Sequence, residues 1–306
     1  MEVEITNVDP LTDEQKASLD LHSFLNIFNV LAGELQYIGI LLEKESFLRN
    51  SIEICRSLKT ALSDNSDVKM DPVDIENVEN AIITEINNLL VNHPKSGDYE
   101  IAESITNIHS IFNVMQVRVH ELLARQKSSD KWIKISIENL TIRYVEMLTA
   151  IEKNSKGRYK IVYNRNEKTD NDYLVQLKFK NSEYNYITMP ISVQDVMGDL
   201  IANARKYTKP GGQITAEISE DDFKLMMLVE DTGIGIPADE IEKVVRYGER
   251  ASNARDLRTM GGGFGLTKAY FTIKQFNGRM WIKSDFGRGT KITIEIPKPD
   301  IQNDKF

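Results

Sequence analysis

An all-helical unit followed by an α+β unit is the fold class that this sequence predicts, and three observations predict it. From Leu11 to about Ser128 apolar residues recur at helical spacing, with breaks only at SDNSD (63–67), Pro72 and HPKSG (93–97). Beyond Lys131 the pattern changes to short runs that alternate apolar and polar, separated by Gly and Asp. The length of 306 residues suits two domains, at about 150 residues each. The expected division is 1–131, helical; 132–298, α+β; and 299–306, a tail.

In the first unit Phe24, Phe28, Leu31, Leu35, Ile38 and Leu42 are spaced by alternating fours and threes, a coiled-coil seam. Ile101, Ile105, Ile108, Phe112, Met115, Val119 and Leu122 repeat the pattern. Two seams separated by a reversal predict an antiparallel helical hairpin. A lone hairpin has a narrow core, so pairing with a second copy into a dimeric four-helix bundle is the expected completion, and a homodimer the expected state. Between the seams lies DPVDIENVENAIITEINNLL (71–90), with Asp71 as N-cap and Pro72 at the first helical position. Either residues 11–62 run out while 71–93 and 97–128 run back, or 71–93 is a separate third helix; the pattern allows both.

The second unit opens with a helix, SIENLTIRYVEMLTAIEKN (136–154). The strand candidates are RYKIVYN, YLVQLKFK, YNYITMP, QITAEISE, KLMMLVED, RMWIKSD and TKITIEIP.

Composition excludes several classes. With 41% hydrophobic and 27% charged residues the chain is globular rather than disordered. A net charge of −8 disfavours nucleic acid as a partner, because a phosphate backbone selects clustered Lys and Arg. No apolar run reaches the ~18 residues of a membrane span, and the acidic, polar MEVEITNVDPLTDEQ is no export signal. A single cysteine, Cys55, cannot form an internal disulfide and reads as a small core residue, in agreement with a reducing cytoplasm as the expected location. Four scattered histidines do not suggest zinc.

The chemistry lies in three motifs. VEDTGIGIP (229–237) follows an apolar strand and sets Asp231 before a turn containing Gly233 and Gly235. A carboxylate there can accept from the exocyclic amine of a base, while the glycines let backbone approach the ring. In MGGGFGLTKAY (260–270) glycines precede a helix, whose free N–H groups and dipole favour a phosphate chain. Upstream, DVMGDLIANARKYT (195–208) puts Val196, Leu200, Ala204 and Tyr207 on one face, and Asp199 with Asn203 on another, with Lys206 three further on. Alone that helix reads as a solvated face; beside the glycine motifs it reads as a site for Mg²⁺ and polyphosphate.

These residues carry a family resemblance. DLIANARKYT resembles the N box of the histidine-kinase ATPase domain, DTGIGIP its G1 box, GGGFGL its G2 box, and FNGRMWIKSDFGRGTKITIEIP (276–297) its final hairpin, over about residues 132–298. The resemblance implies an α/β sandwich ATP-binding domain of the histidine kinase/gyrase/Hsp90 type. By position, Asn203 would ligate Mg²⁺, Asp231 would bind the adenine amine, Lys206 would meet phosphate and Tyr207 would pack on adenine. Gly261, Gly263, Gly265 and Leu266 would line the nucleotide, with Gly233, Gly235 and Thr290 of the other boxes. Residues 238–260 would be a lid carrying Lys243, Arg246, Arg250, Arg255 and Arg258. Asp199 stands where the family often has Asn and related ATPases have Glu, so a role as a base is open to it.

The helical half resembles the dimerisation and histidine-phosphotransfer domain of sensor histidine kinases. His22 flanks the first seam as the expected phosphoacceptor, and Asn26, one turn on, would orient a water or phosphoryl oxygen. The family's acid after the histidine is absent; Ser23 stands there, and Asp20 or a residue of another helix would substitute. His109, in NIHSIFNVM, is the rival acceptor, while His93 and His120 read as ordinary polar residues. The resemblance thus implies a cytoplasmic protein-histidine kinase that uses ATP and Mg²⁺, takes input from an upstream sensor protein and passes phosphate to a response-regulator receiver aspartate. The alternatives are a phosphotransfer dimer that uses its ATP domain only for docking, a conformational ATPase, and a serine kinase of the same ATP fold.

Overall fold

The computed structural model describes residues 2–43, 48–64, 72–91, 93–128, 131–153, 155, 157–181, 183–255 and 263–299; of these, only the backbone is described at 17–18, 20–26, 59–64, 72, 117–118 and 120–128. The chain divides into two compact units, one of Leu11–Lys127 and the other of the residues through Pro10 together with those from Ser128 onward.

The helical unit contains α1 (Asp13–Leu41), α2 (Arg49–Asp64), α3 (Pro72–Leu90) and α4 (Tyr99–Ser128). Thr12 and Gln15 form a capping box at the start of α1: the Gln15 N–H donates to Thr12 Oγ1 at 3.2 Å and the Thr12 N–H to Gln15 Oε1 at 3.0 Å. At its other end Glu43 turns the chain through a left-handed φ of 57°, and the Lys95 ammonium donates to Leu41 O and to Glu43 Oε1, each at 2.8 Å. One core joins Phe28, Leu31, Leu35 and Ile38 to Cys55, to Ile75, Ile82 and Ile86, and to Ile101, Ile108, Phe112, Met115 and Val119. Burial pushes the Cys55 thiol up to about 11, as a core cysteine requires.

This arrangement corrects the expected continuous run over 11–62 and bears out the alternative of a separate helix within 71–93. The chain does not run helically from 11 to 62 but breaks after Leu41, and residues 72–90 form a separate helix. Four described helices of one chain share this core. The sequence LEKESFL (42–48) contains neither Gly nor Pro, so the end of α1 has no local signal in it.

The second unit follows the order β1 (Glu2–Glu4), β2 (Trp132–Ser136), α5 (Ile137–Lys153), β3 (Ile161–Val162), β4 (Tyr173–Asn181), β5 (Tyr186–Pro190), α6 (Ile191–Tyr207), β6 (Gln213–Glu220), β7 (Lys224–Asp231), α7 (Gly265–Lys274), β8 (Arg279–Asp285) and β9 (Gly289–Pro297). Seven strands form one sheet in the order β1-β8-β9-β7-β6-β4-β3, and β2 pairs with β5. The β3/β4 and β4/β6 pairs are parallel; the other pairs in the sheet are antiparallel. Leu140, Tyr144 and Leu148 of α5, Val193, Val196, Leu200, Ile201 and Ala204 of α6, and Ala269 and Ile273 of α7 bury against alternate sheet residues such as Ile214, Ala216, Met227, Val229, Ile282 and Ile294. Helices on a mixed sheet are the α/β sandwich expected for this half.

Residues 2–10 depart from the predicted division at 131. Val3 stands opposite Ile282, the Ile5 N–H donates to Met280 O at 2.9 Å, and the Arg279 guanidinium clasps the Glu4 carboxylate at 2.8 and 2.7 Å. Ile5 is fully buried in the sheet's core. Ile5→Ala is therefore expected to destabilise this unit by roughly 2–5 kcal/mol. Both tryptophans of the chain, Trp132 and Trp281, belong to it, so urea unfolding followed by their fluorescence measures the effect; an unchanged midpoint would assign residues 2–10 no structural role. Among the described residues no helix is long and apolar enough to cross a membrane.

Candidate active site

The residues of the predicted site come from α6, from the turn after β7, from the segment that opens α7 and from the β8–β9 hairpin. Asp231 ends β7 opposite Ile214 and Thr290. Its Oδ1 accepts from the N–H of Gly233 at 2.7 Å and of Thr290 at 3.3 Å. Burial pushes the carboxyl up to about 6, against the pull of these two donors. At neutral pH it is mostly ionised and acceptor-only.

The glycines of the turn serve close packing of chain on chain. A Cβ on Gly233 would lie 2.5 Å from Tyr207 O, and one on Gly235, whose φ is +63°, would lie 2.1 Å from Asp285 O. Hydrogen bonds hold the turn on both sides: Ile234 N to Tyr207 O at 3.1 Å, Gly287 N to Ile234 O at 2.8 Å, and Ile236 N to Ser284 Oγ at 2.8 Å. The Asn253 amide also donates to Gly235 O at 2.9 Å. Asp231, Gly233, Gly235, Tyr207 and Thr290 are thus brought together, with Asn253 and Ser284 as supports that the sequence reading missed. Nothing in the local pattern marks either one, because each acts on backbone far away in sequence.

The phosphate end forms where α7 meets α6. A Cβ on Gly265, the first residue of α7, would lie 2.5 Å from Asn203 Nδ2, so the helix begins hard against this side chain, which would have to turn aside for any larger residue. Phe264 caps α7 without a side-chain hydrogen bond, which leaves the helix's first N–H groups for another acceptor. Gly263 has a φ of +83°, with Glu249 O and Arg250 Cγ each 3.0 Å from its Cβ position. Leu266 is partly buried against the core. Burial and the nearby positive charge of Arg250 push the Lys206 ammonium down to about 8, and its Nζ lies 5.1 Å from the Tyr207 ring centroid. Asp199 Oδ2 pairs with Lys268 Nζ at 3.2 Å, a partner inside a motif stretch to which the sequence reading gave no role.

Much of the expected lid is anchored. Between 238 and 255 Ile241, Val244, Val245, Ala251 and Ala254 are buried in the core, Ser252 N donates to Glu240 Oε2 at 2.7 Å, and Lys243 Nζ lies 3.8 Å from Glu249 Oε2. Arg258 and Gly261 lie outside the described residues, as do the side chains of His22 and Asn26. His109 is described: it is half-exposed on α4, with Nδ1 2.8 Å from Glu79 Oε1 of α3.

Residues 188–300 match the family of histidine kinase-, DNA gyrase B- and HSP90-like ATPases. The chain is 35% identical over 116 residues to the sensor histidine kinase WalK of Bacillus subtilis, covering 37% of this chain and 19% of WalK. It is 31% identical over 126 residues to the sensor protein SrrB of Staphylococcus aureus, covering 39% of this chain and 22% of SrrB. It therefore spans only about a fifth of the length of these curated relatives. The solved mycobacterial sensor histidine kinase MprB matches at 17% identity over 55% of this chain and 97% of that one, with a TM-score of 0.38, a likeness too remote to weigh. Residues 188–300 form a domain of the histidine kinase-, DNA gyrase B- and HSP90-like ATPase type, and through it the chain is similar to sensor histidine kinases.

Proposed function

We propose that the chain is a protein-histidine kinase that takes the γ-phosphoryl group from Mg·ATP onto a helix-borne histidine, His22, and passes it to a response-regulator aspartate. The observation that carries this reading is the seating of Gly265 against Asn203, which puts an uncapped helix N-terminus and a half-buried amide at one place. Asp231 would accept from the adenine amine, Tyr207 would cover the base, and Lys206 with the first N–H groups of α7 would hold the phosphates. Among the described residues no group of three His, Cys, Asp or Glu is placed to hold a metal. Asn203 fits Mg²⁺ on these terms, because this ion keeps most of its shell from phosphate oxygens and water; bound there, it would supply charge neutralisation. Catalysis would consist mainly of positioning and electrostatics. A homodimer, an upstream sensor and a receiver domain complete the proposal, resting on the family resemblance.

Incubation with γ-labelled ATP and Mg²⁺ tests it. Wild type is expected to acquire acid-labile, alkali-stable label that His22→Gln abolishes and His109→Gln retains. Alkali-labile label would point to serine instead, and absence of label despite nucleotide binding would defeat the kinase reading. One observation supports a second acceptor: a carboxylate at Nδ1 of His109 fixes the tautomer that leaves Nε2 as the open nucleophile. Label lost only in His109→Gln would make that the acceptor.

A further inference from the structure

The ion pair between Asp199 and Lys268 adjoins the proposed phosphate site, and none of the roles assigned so far uses it. Asp199 lies one helical turn before Asn203, so the two share a face of α6. Lys268 lies three residues after Gly265, in the first turn of the helix that begins against Asn203. Their 3.2 Å contact, with side chains 33% and 20% exposed respectively, joins the two helices beside the uncapped N-terminus of α7. A carboxylate one turn from a metal-holding amide and open to solvent is placed to take a proton from a water that attacks the γ-phosphorus. In that reaction the water oxygen bonds to phosphorus, the bond from phosphorus to the bridging oxygen breaks, ADP leaves with the electron pair, and the proton passes to the carboxylate. Here Oδ2 is engaged by an ammonium group, which ties that oxygen to α7 and occupies a lone pair that the proton would need.

We propose that Lys268 is a positioning residue that restrains Asp199, so that bound ATP is kept for transfer to a side chain rather than spent on water. This rests on the ATP reading above. Four variants test it: Lys268→Met, Lys268→Arg, Asp199→Asn and the double variant Asp199→Asn/Lys268→Met. With Mg·ATP, phosphate release is expected to rise about tenfold in Lys268→Met, to stay at the wild-type rate in Lys268→Arg, and to return to it in the double variant. The second readout is the affinity for a fluorescent ATP analogue without Mg²⁺. Lys268→Met, with Asp199 left facing the phosphates, is expected to bind several-fold more weakly, while Asp199→Asn and the double variant bind like wild type. Unchanged phosphate release in Lys268→Met overturns the inference. A double variant as weak as Lys268→Met also overturns it, since Lys268 would then meet phosphate itself. Wild type that binds no analogue overturns the ATP reading together with this one, whereas wild type that binds while Lys268→Met behaves identically overturns this one alone.

Discussion

Gly235→Ala is expected to destabilise the ATPase unit by about 3 kcal/mol or more and to abolish nucleotide binding. Two costs add. A φ of +63° places the residue in the left-handed region, which charges an L side chain roughly 1–2 kcal/mol. The new Cβ would also lie 2.1 Å from Asp285 O and 2.8 Å from Asp285 C, so backbone rather than a flexible side chain must move. That backbone is not free to yield, because Gly287 N is bonded to Ile234 O and Ser284 Oγ to Ile236 N, each at 2.8 Å. Gly287→Ala is the control: its φ is +76°, but nothing lies within 4 Å of its Cβ position, so only the backbone strain remains. Urea unfolding followed at Trp132 and Trp281 should show a much larger drop in midpoint for Gly235→Ala than for Gly287→Ala. Equal drops would mean that the turn does not lock the hairpin.

The same glycine shows how far the sequence reached. Its motif was legible, and the motifs that hold Asn203 and Gly265, which the structure brings together, were legible too, because each combines a strand or helix end with glycines at fixed spacing. The reason for the glycines was not legible. Close approach to a ligand was expected at Gly233 and Gly235, whereas the space their Cβ atoms would need is filled by Tyr207 and Asp285, tens of residues away in the chain. The helical seam came through at Phe28, Leu31, Leu35, Ile38 and Leu42, all buried, because a period of 3.5 is a local property. The break after Leu41 did not, since the turn is made by Glu43 in a left-handed conformation and fixed by Lys95, fifty-two residues away. A strand of three residues, Glu2–Glu4, is too short for alternation to register, and its place is set by Ile282 and Arg279 at the other end of the chain. Residues 238–260 were read as a charged lid because the apolar Ile241, Val244 and Val245 stand among charges, yet in the described part those three are buried in the core.

Asp231→Asn should weaken nucleotide binding and raise stability at once, with a pH dependence whose sign follows from the carboxyl's shift. Burial lifts this group from an ordinary value of 3.8 to about 6 in the folded chain. Between those two values the folded state binds more protons than the unfolded state, so the stability contributed by the group falls as pH rises through that window and remains low at neutral pH. An amide has no charge to desolvate, and its oxygen can still accept from the N–H groups of Gly233 and Thr290 that now reach Oδ1 at 2.7 and 3.3 Å. At pH 7.5 the variant is therefore expected to be more stable by about 2–3 kcal/mol, a gain that shrinks towards zero near pH 4. Its affinity for ATP should fall about tenfold or more at pH 7.5, as a charged acceptor for the adenine amine is replaced by a neutral one. Thermal melting at the two pH values, beside titration with a fluorescent ATP analogue, separates the effects. A melting temperature equal to wild type at pH 7.5 would show that the carboxylate is not held against its burial. Higher stability with unchanged affinity would remove Asp231 from base recognition while leaving its strain intact. A gain in stability joined to a loss of affinity is what a charge kept buried for its ligand predicts, since the desolvation already suffered in the free chain need not be repeated when the base arrives.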